Sequence, residues 1–121
     1  MSVSLYYSLE RDAPLSAAER ERVAQVLARH DLDRFADPLL GGERFGFHDA
    51  PSEGCALEGS ARVPVDLEHQ EETAGAALAE WGRLLGEVRQ VVDGGTWRVH
   101  LEEIALVWVA ERGVFWFPGA G

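Results

Sequence analysis

The chain has 121 residues, 46% hydrophobic and 26% charged, with 21 acidic residues against 11 basic ones and a formal charge of −10. That length makes one domain, residues 1–121, which buries roughly 65% of its unfolded surface on folding without help from a metal or disulfide. The composition excludes an intrinsically disordered chain, and the acidity disfavours nucleic acid as a partner, because phosphates need clustered Lys and Arg.

No run approaches the roughly 18 apolar residues of a membrane span, so no membrane association is expected. All eleven basic residues are arginine, a composition that points to a GC-rich, bacterial genome. The single cysteine, Cys55, cannot pair within the chain, which fits a reducing cytoplasm. Residues 1–12 alternate apolar and polar and end in Glu10, Arg11 and Asp12, unlike a secretory leader.

Val3, Leu5, Tyr7 and Leu9 alternate with polar neighbours, which predicts a strand over 3–9 with one face buried. Ser16 and Glu19 have capping-box spacing and open a helix that carries Val23, Val26, Leu27 and His30 on one stripe and ends near His30. Residues 31–42 read as irregular, with Asp37-Pro38 and Gly41-Gly42 as breakers. Phe45 and Phe47 alternate with polar or small residues and predict a second, short strand. Residues 49–54 form a loop. Leu57, Gly59, Ala61 and Val63 predict a third strand, whose small inward residues require something bulky, or a close helix, above them.

The longest periodic stretch runs from Thr73 to Asp93. Ala77, Leu78, Trp81, Leu84, Leu85, Val88, Val91 and Val92 form a broad apolar stripe, and Gly94-Gly95 ends the helix. Gly82 and Gly86 share a face and weaken the helix by roughly 1 kcal/mol each, a cost that close backbone packing would explain. Trp97, Val99 and Leu101 predict a fourth strand. A final hairpin with a three-residue turn, Glu111-Arg112-Gly113, sets Val109 opposite Phe115 and Trp108 opposite Trp116. The order β-α-β-β-α-β with an extra C-terminal hairpin predicts a ferredoxin-like α+β sandwich, two helices on one face of an antiparallel sheet.

That hairpin is apolar on both faces, so either both are covered from within or one meets a partner. Paired tryptophans are the residue type most enriched at binding hot spots. Trp108 and Trp116 are therefore the candidate partner-binding residues, with Glu102, Glu103, Glu68, Glu71 and Glu72 as a negative rim.

Catalytic and metal chemistry finds little footing. His30 with Asp31 and Asp33, His48 with Asp49, and Asp66 with His69 reproduce no metal-ligand spacing, and no local signature joins Cys55 to a histidine. No cofactor or metal is expected. The leading expectation is a non-enzymatic module that neutralises a basic partner, such as a bacterial toxin or nuclease, in the manner of an immunity protein. The alternative is a small-molecule-binding or enzymatic homodimer in which Tyr6, Arg98, His100 and Trp108 line a cavity.

Overall fold

A computed structural model describes residues 3–64 and 70–118. Strand β1 (Ser4–Glu10) buries Leu5, Tyr7 and Leu9 and turns Tyr6 and Glu10 outward, the alternation a half-buried strand requires. Helix α1 (Ala17–Ala28) starts as its sequence dictates. The Glu19 amide donates to Ser16 Oγ at 3.1 Å, and the Ser16 amide donates to the Glu19 carboxylate at 2.9 Å. Val23 and Val26 then carry its buried face. A single 3₁₀ turn occupies Pro38–Leu40.

The strand expected around Phe45 and Phe47 does not form. Residues 43–48 run beside the next strand and touch its backbone through two hydrogen bonds, Glu43 N–H to Arg62 O at 3.0 Å and His48 N–H to Glu58 O at 2.7 Å. The cause lies at Gly46, whose carbonyl accepts from the Tyr7 hydroxyl at 2.6 Å and whose N–H donates to the same oxygen at 3.3 Å. A residue with both backbone groups engaged by a side chain cannot continue a ladder. Phe45 meanwhile turns inward, fully buried and stacked on Tyr7 at 4.5 Å between ring centres.

Strand β2 (Cys55–Arg62) pairs antiparallel with β1 through a bulge, since Leu9 faces Leu57 but Glu10 faces Cys55. Ala56 is the extra residue, and this explains why Ala56 and Leu57 are both buried. The expected bulky cover over the small residues of β2 is the Tyr7 ring together with the Gly46 carbonyl. Both would collide with a Cβ on Gly59.

Helix α2 (Gln70–Val91) is the main cover of the sheet, and Ala77, Leu78, Trp81, Leu84, Leu85 and Val88 are buried beneath it. Gly94 and Gly95 follow at φ 81° and 80°, the left-handed region glycine enters without strain. Strands β3 (Thr96–Leu101), β4 (Ile104–Val109) and β5 (Val114–Trp116) then form a meander. The sheet is antiparallel with order β2-β1-β3-β4-β5. The fold is thus α+β, with two helices and five strands among the described residues.

The last hairpin has a different register from the expected one. Val109 pairs with Val114, Trp108 with Phe115 and Val107 with Trp116. The Arg112 and Gly113 amides both donate to Val109 O, at 3.1 and 2.9 Å, so the turn begins one residue earlier and the loop is Ala110–Gly113. Gly113 still holds the left-handed position, at φ 66°. A shift of one residue on one strand moves its side chains to the opposite face. Trp108 and Trp116 therefore do not face each other across the ribbon.

Candidate binding face

Both helices pack on one side of the sheet, and the register decides which side chains meet them. Leu106, Trp108 and Phe115 point inward with Val99 and Tyr7. A Cβ on Gly82 would strike the Phe115 carbonyl, and one on Gly86 would strike the Gly113 carbonyl and the Trp108 ring. The expected close backbone packing at these glycines is present, and its partner is β5. Trp108 lies 5.3 Å from Phe115 between ring centres, and the Arg89 guanidinium sits 4.2 Å from its ring centre. That indole belongs to the seam between α2 and the ribbon.

The other side of the sheet has no helix over it among the described residues. Parity of the ladders puts Tyr6, Arg98, His100, Ala105, Val107, Val109, Val114 and Trp116 there. Val107 is 44% exposed and Tyr6 39%. Tyr6 stacks on His100 at 5.2 Å, Arg98 pairs with Glu10 at 2.6 Å, and Trp116 meets Phe117 edge-on. Trp116 is half-buried.

The acidic residues expected to rim the tryptophans divide into two groups. Glu102 and Glu103 form the two-residue turn between β3 and β4, at the edge of this face. Glu102 has φ 51°, a conformation that strains any residue with a Cβ. It is held by its own contacts: its carboxylate accepts from the Ser4 amide at 2.8 Å, its amide donates to Ser4 O at 3.2 Å, and its carbonyl lies 2.7 Å from His100 Nδ1. Glu103 is exposed. A hollow of about 450 Å³ opens beside this turn, lined among others by Trp97, Arg98, His100, Glu103 and Ala105. Glu68 lies outside the described residues, and so does the side chain of Glu71. Glu72 is exposed in the first turn of α2, about 15 Å along the helix axis from the Gly82 seam. The structure brings Glu102 and Glu103 to the sheet face and leaves Glu72 with the start of α2.

The cavity-lining set considered from sequence does not converge. Tyr6, Arg98 and His100 share the open face, whereas Trp108 is on the helix-covered one.

Sequence reasoning missed two polar clusters. His30 is pinched between α2 carboxylates: Nδ1 lies 2.7 Å from Glu80, Nε2 bonds Glu87, and the side chain is 10% exposed. Burial opposes its charge, but the hydrogen bonds and charges of Glu80 and Glu87 outweigh burial and hold its pKa above the ordinary value. Its place on the apolar stripe was legible; the two carboxylates, fifty and more residues away, were not. Arg11 is the second. Its guanidinium donates to both Glu19 carboxylate oxygens and to the carbonyls of Ala13, Pro14 and Asp93, tying β1, the start of α1 and the end of α2 together.

The Cys55 thiol is not primed for nucleophilic work. Burial pushes its pKa up, and the negative charges of Glu58 and Glu10 push it further, so the thiolate is disfavoured. Among the described residues no group of three or more His, Cys, Asp or Glu is placed to hold a metal ion, and no helix is long and apolar enough to cross a membrane. No family model matches the chain, and no curated protein or solved structure matches it either, so its side chains carry the functional reading.

Proposed function

We propose that this chain is a non-enzymatic protein-binding module that takes a basic protein partner on the uncovered face of its sheet, as an inhibitor or immunity-type protein of a toxin or nuclease would. The observation that carries this reading is the open face itself: apolar Tyr6, Val107, Val109, Val114 and Trp116 with the Glu102–Glu103 turn beside them, in a chain of net charge −10. Apolar area with an acidic margin matches a partner that presents an apolar patch among Lys and Arg. Charge speeds the encounter and apolar burial slows release. Trp116 is the anchor in this arrangement, and Trp108 is structural.

The fold supports a finer reading as a ferredoxin-like sandwich. Residues 43–48 lie where its second strand would run, beside β2, and the β4–β5 ribbon is the addition. The unpaired Cys55 fits a reducing, cytoplasmic setting.

The test is co-purification with the product of the neighbouring reading frame. Val107→Glu should abolish capture while unfolding stays within about 1 kcal/mol of the parent, because Val107 is an exposed strand residue, and Trp116→Ala should weaken capture by about tenfold. Trp108→Ala should instead lose about 3–4 kcal/mol of stability. Capture that survives Val107→Glu would move the site elsewhere. A homodimer dissolved by Val107→Glu would assign the face to a second copy of the chain.

A further inference from the structure

At the β2 edge of the sheet, opposite the ribbon, a cavity of about 520 Å³ lies between α1 and the 47–57 segment. Its volume is that of an ordinary small-molecule site. The walls are apolar: Leu15, Val23, Leu27, Phe47, Ala56 and Leu57. The charged groups lining it are of both signs, with Arg20 contributed by α1 and Asp49 and Glu53 by the loop.

Those three charges are free to meet a ligand. Among the described residues, Arg11, Arg29, Arg44, Arg83 and Arg98 each pair with a carboxylate, but the Arg20 guanidinium has no partner, and the carboxylates of Asp49 and Glu53 have none either. The other polar groups around the cavity are accounted for. His48 lies 3.7 Å from Glu58, which also accepts from the Ser52 hydroxyl and amide, and burial with the charges of Glu58 and Glu10 pushes the Cys55 thiol pKa up. An anion alone would satisfy Arg20 but face two carboxylates. A cation alone would meet the reverse.

We propose that this cavity binds a small zwitterion with an apolar body, the chemical class of free hydrophobic amino acids. The apolar body lies against Val23, Leu27, Phe47 and Leu57. The carboxylate meets Arg20, whose planar fork suits it, and the ammonium meets Asp49 and Glu53. This site is independent of the sheet face proposed above, since it occupies the opposite edge of the sheet and the helix-bearing side.

Titration of the full chain with L-phenylalanine, followed by NMR, tests it against two probes with the same ring and one charge each, 3-phenylpropionate and 2-phenylethylamine. Phenylalanine should give saturable shifts at Val23, Leu27, Phe47 and Leu57, and each single-charge probe should bind about tenfold more weakly. Arg20→Gln should weaken phenylalanine by about the same factor and leave 2-phenylethylamine no weaker. Ala24→Trp, at an exposed helix position that lines the cavity, should fill the space and abolish binding while the amide spectrum stays folded. Absence of saturable shifts at millimolar phenylalanine would overturn the proposal, as would either single-charge probe binding as tightly as the zwitterion.

Discussion

Glu19 and His30 contribute to stability with opposite pH dependence. The Glu19 carboxyl is held down at about 2, first by its hydrogen bonds from Arg11 and then by the Ser16 amide. A depressed carboxylate stabilises the fold above its unfolded value, near 4.5, and that contribution is lost as pH falls from there toward 2. His30 has the reverse sign. Its raised folded pKa favours the native state fully below the unfolded value of 6.5, and the contribution disappears as pH rises through the folded value. Arg29 and Arg83 also face Glu87 and Glu80, at 3.3 and 3.4 Å, so the carboxylates keep cationic company after His30 deprotonates. Urea unfolding across pH should therefore show Glu19→Gln flattening the acid limb and His30→Gln flattening the neutral-to-alkaline limb. In the His30→Gln comparison, the gap from the parent should be widest below pH 6.5 and narrow as pH rises through the raised folded value, with an unchanged gap refuting the ion-pair account.

Three glycines in one helix should respond in opposite directions to the same change. Gly75 has open space around it, so Gly75→Ala should stabilise by about 0.5–1 kcal/mol through helix propensity alone. Gly82→Ala and Gly86→Ala gain the same propensity but drive a methyl group into backbone carbonyls of β5 and its turn. Backbone cannot rotate aside, so each should destabilise by about 2 kcal/mol net, measured by thermal or urea unfolding. The spacing of Gly82 and Gly86 made that close approach legible in the sequence, as the 3.6 period made the buried stripe of α2 and the Ser16–Glu19 spacing made the start of α1. Two features were beyond reach for definable reasons. The 43–48 segment alternates like a strand, yet whether it pairs depends on the Tyr7 hydroxyl, a contact 39 residues away. The last hairpin accommodates Gly113 in the left-handed region with either a three- or a four-residue loop. The observed register buries Phe115 under α2 and sets Trp108 beneath Arg89, and it separates Trp108 from Trp116.

At the scale of the whole molecule, charge and shape would act on different halves of the binding reaction in the proposed complex. Eleven arginines against 21 acidic residues leave a field that reaches about 8–10 Å into solution at physiological salt. In the proposed complex, the open sheet face would supply contact area only after encounter. For a basic partner, the association rate should fall steeply between about 50 and 500 mM salt, and the dissociation rate should change little. The two classes of substitution should then separate. Glu103→Gln removes an exposed carboxylate beside the face and should slow association by a few-fold at low salt, with the effect vanishing at high salt. Trp116→Ala should leave association near the parent rate and raise dissociation by about tenfold or more, as loss of a buried aromatic anchor does. Stopped-flow or surface-binding kinetics on the purified pair reads both. A partner whose association rate is indifferent to salt, or a Trp116→Ala variant that alters only association, would place recognition on some part of the molecule other than the open sheet face.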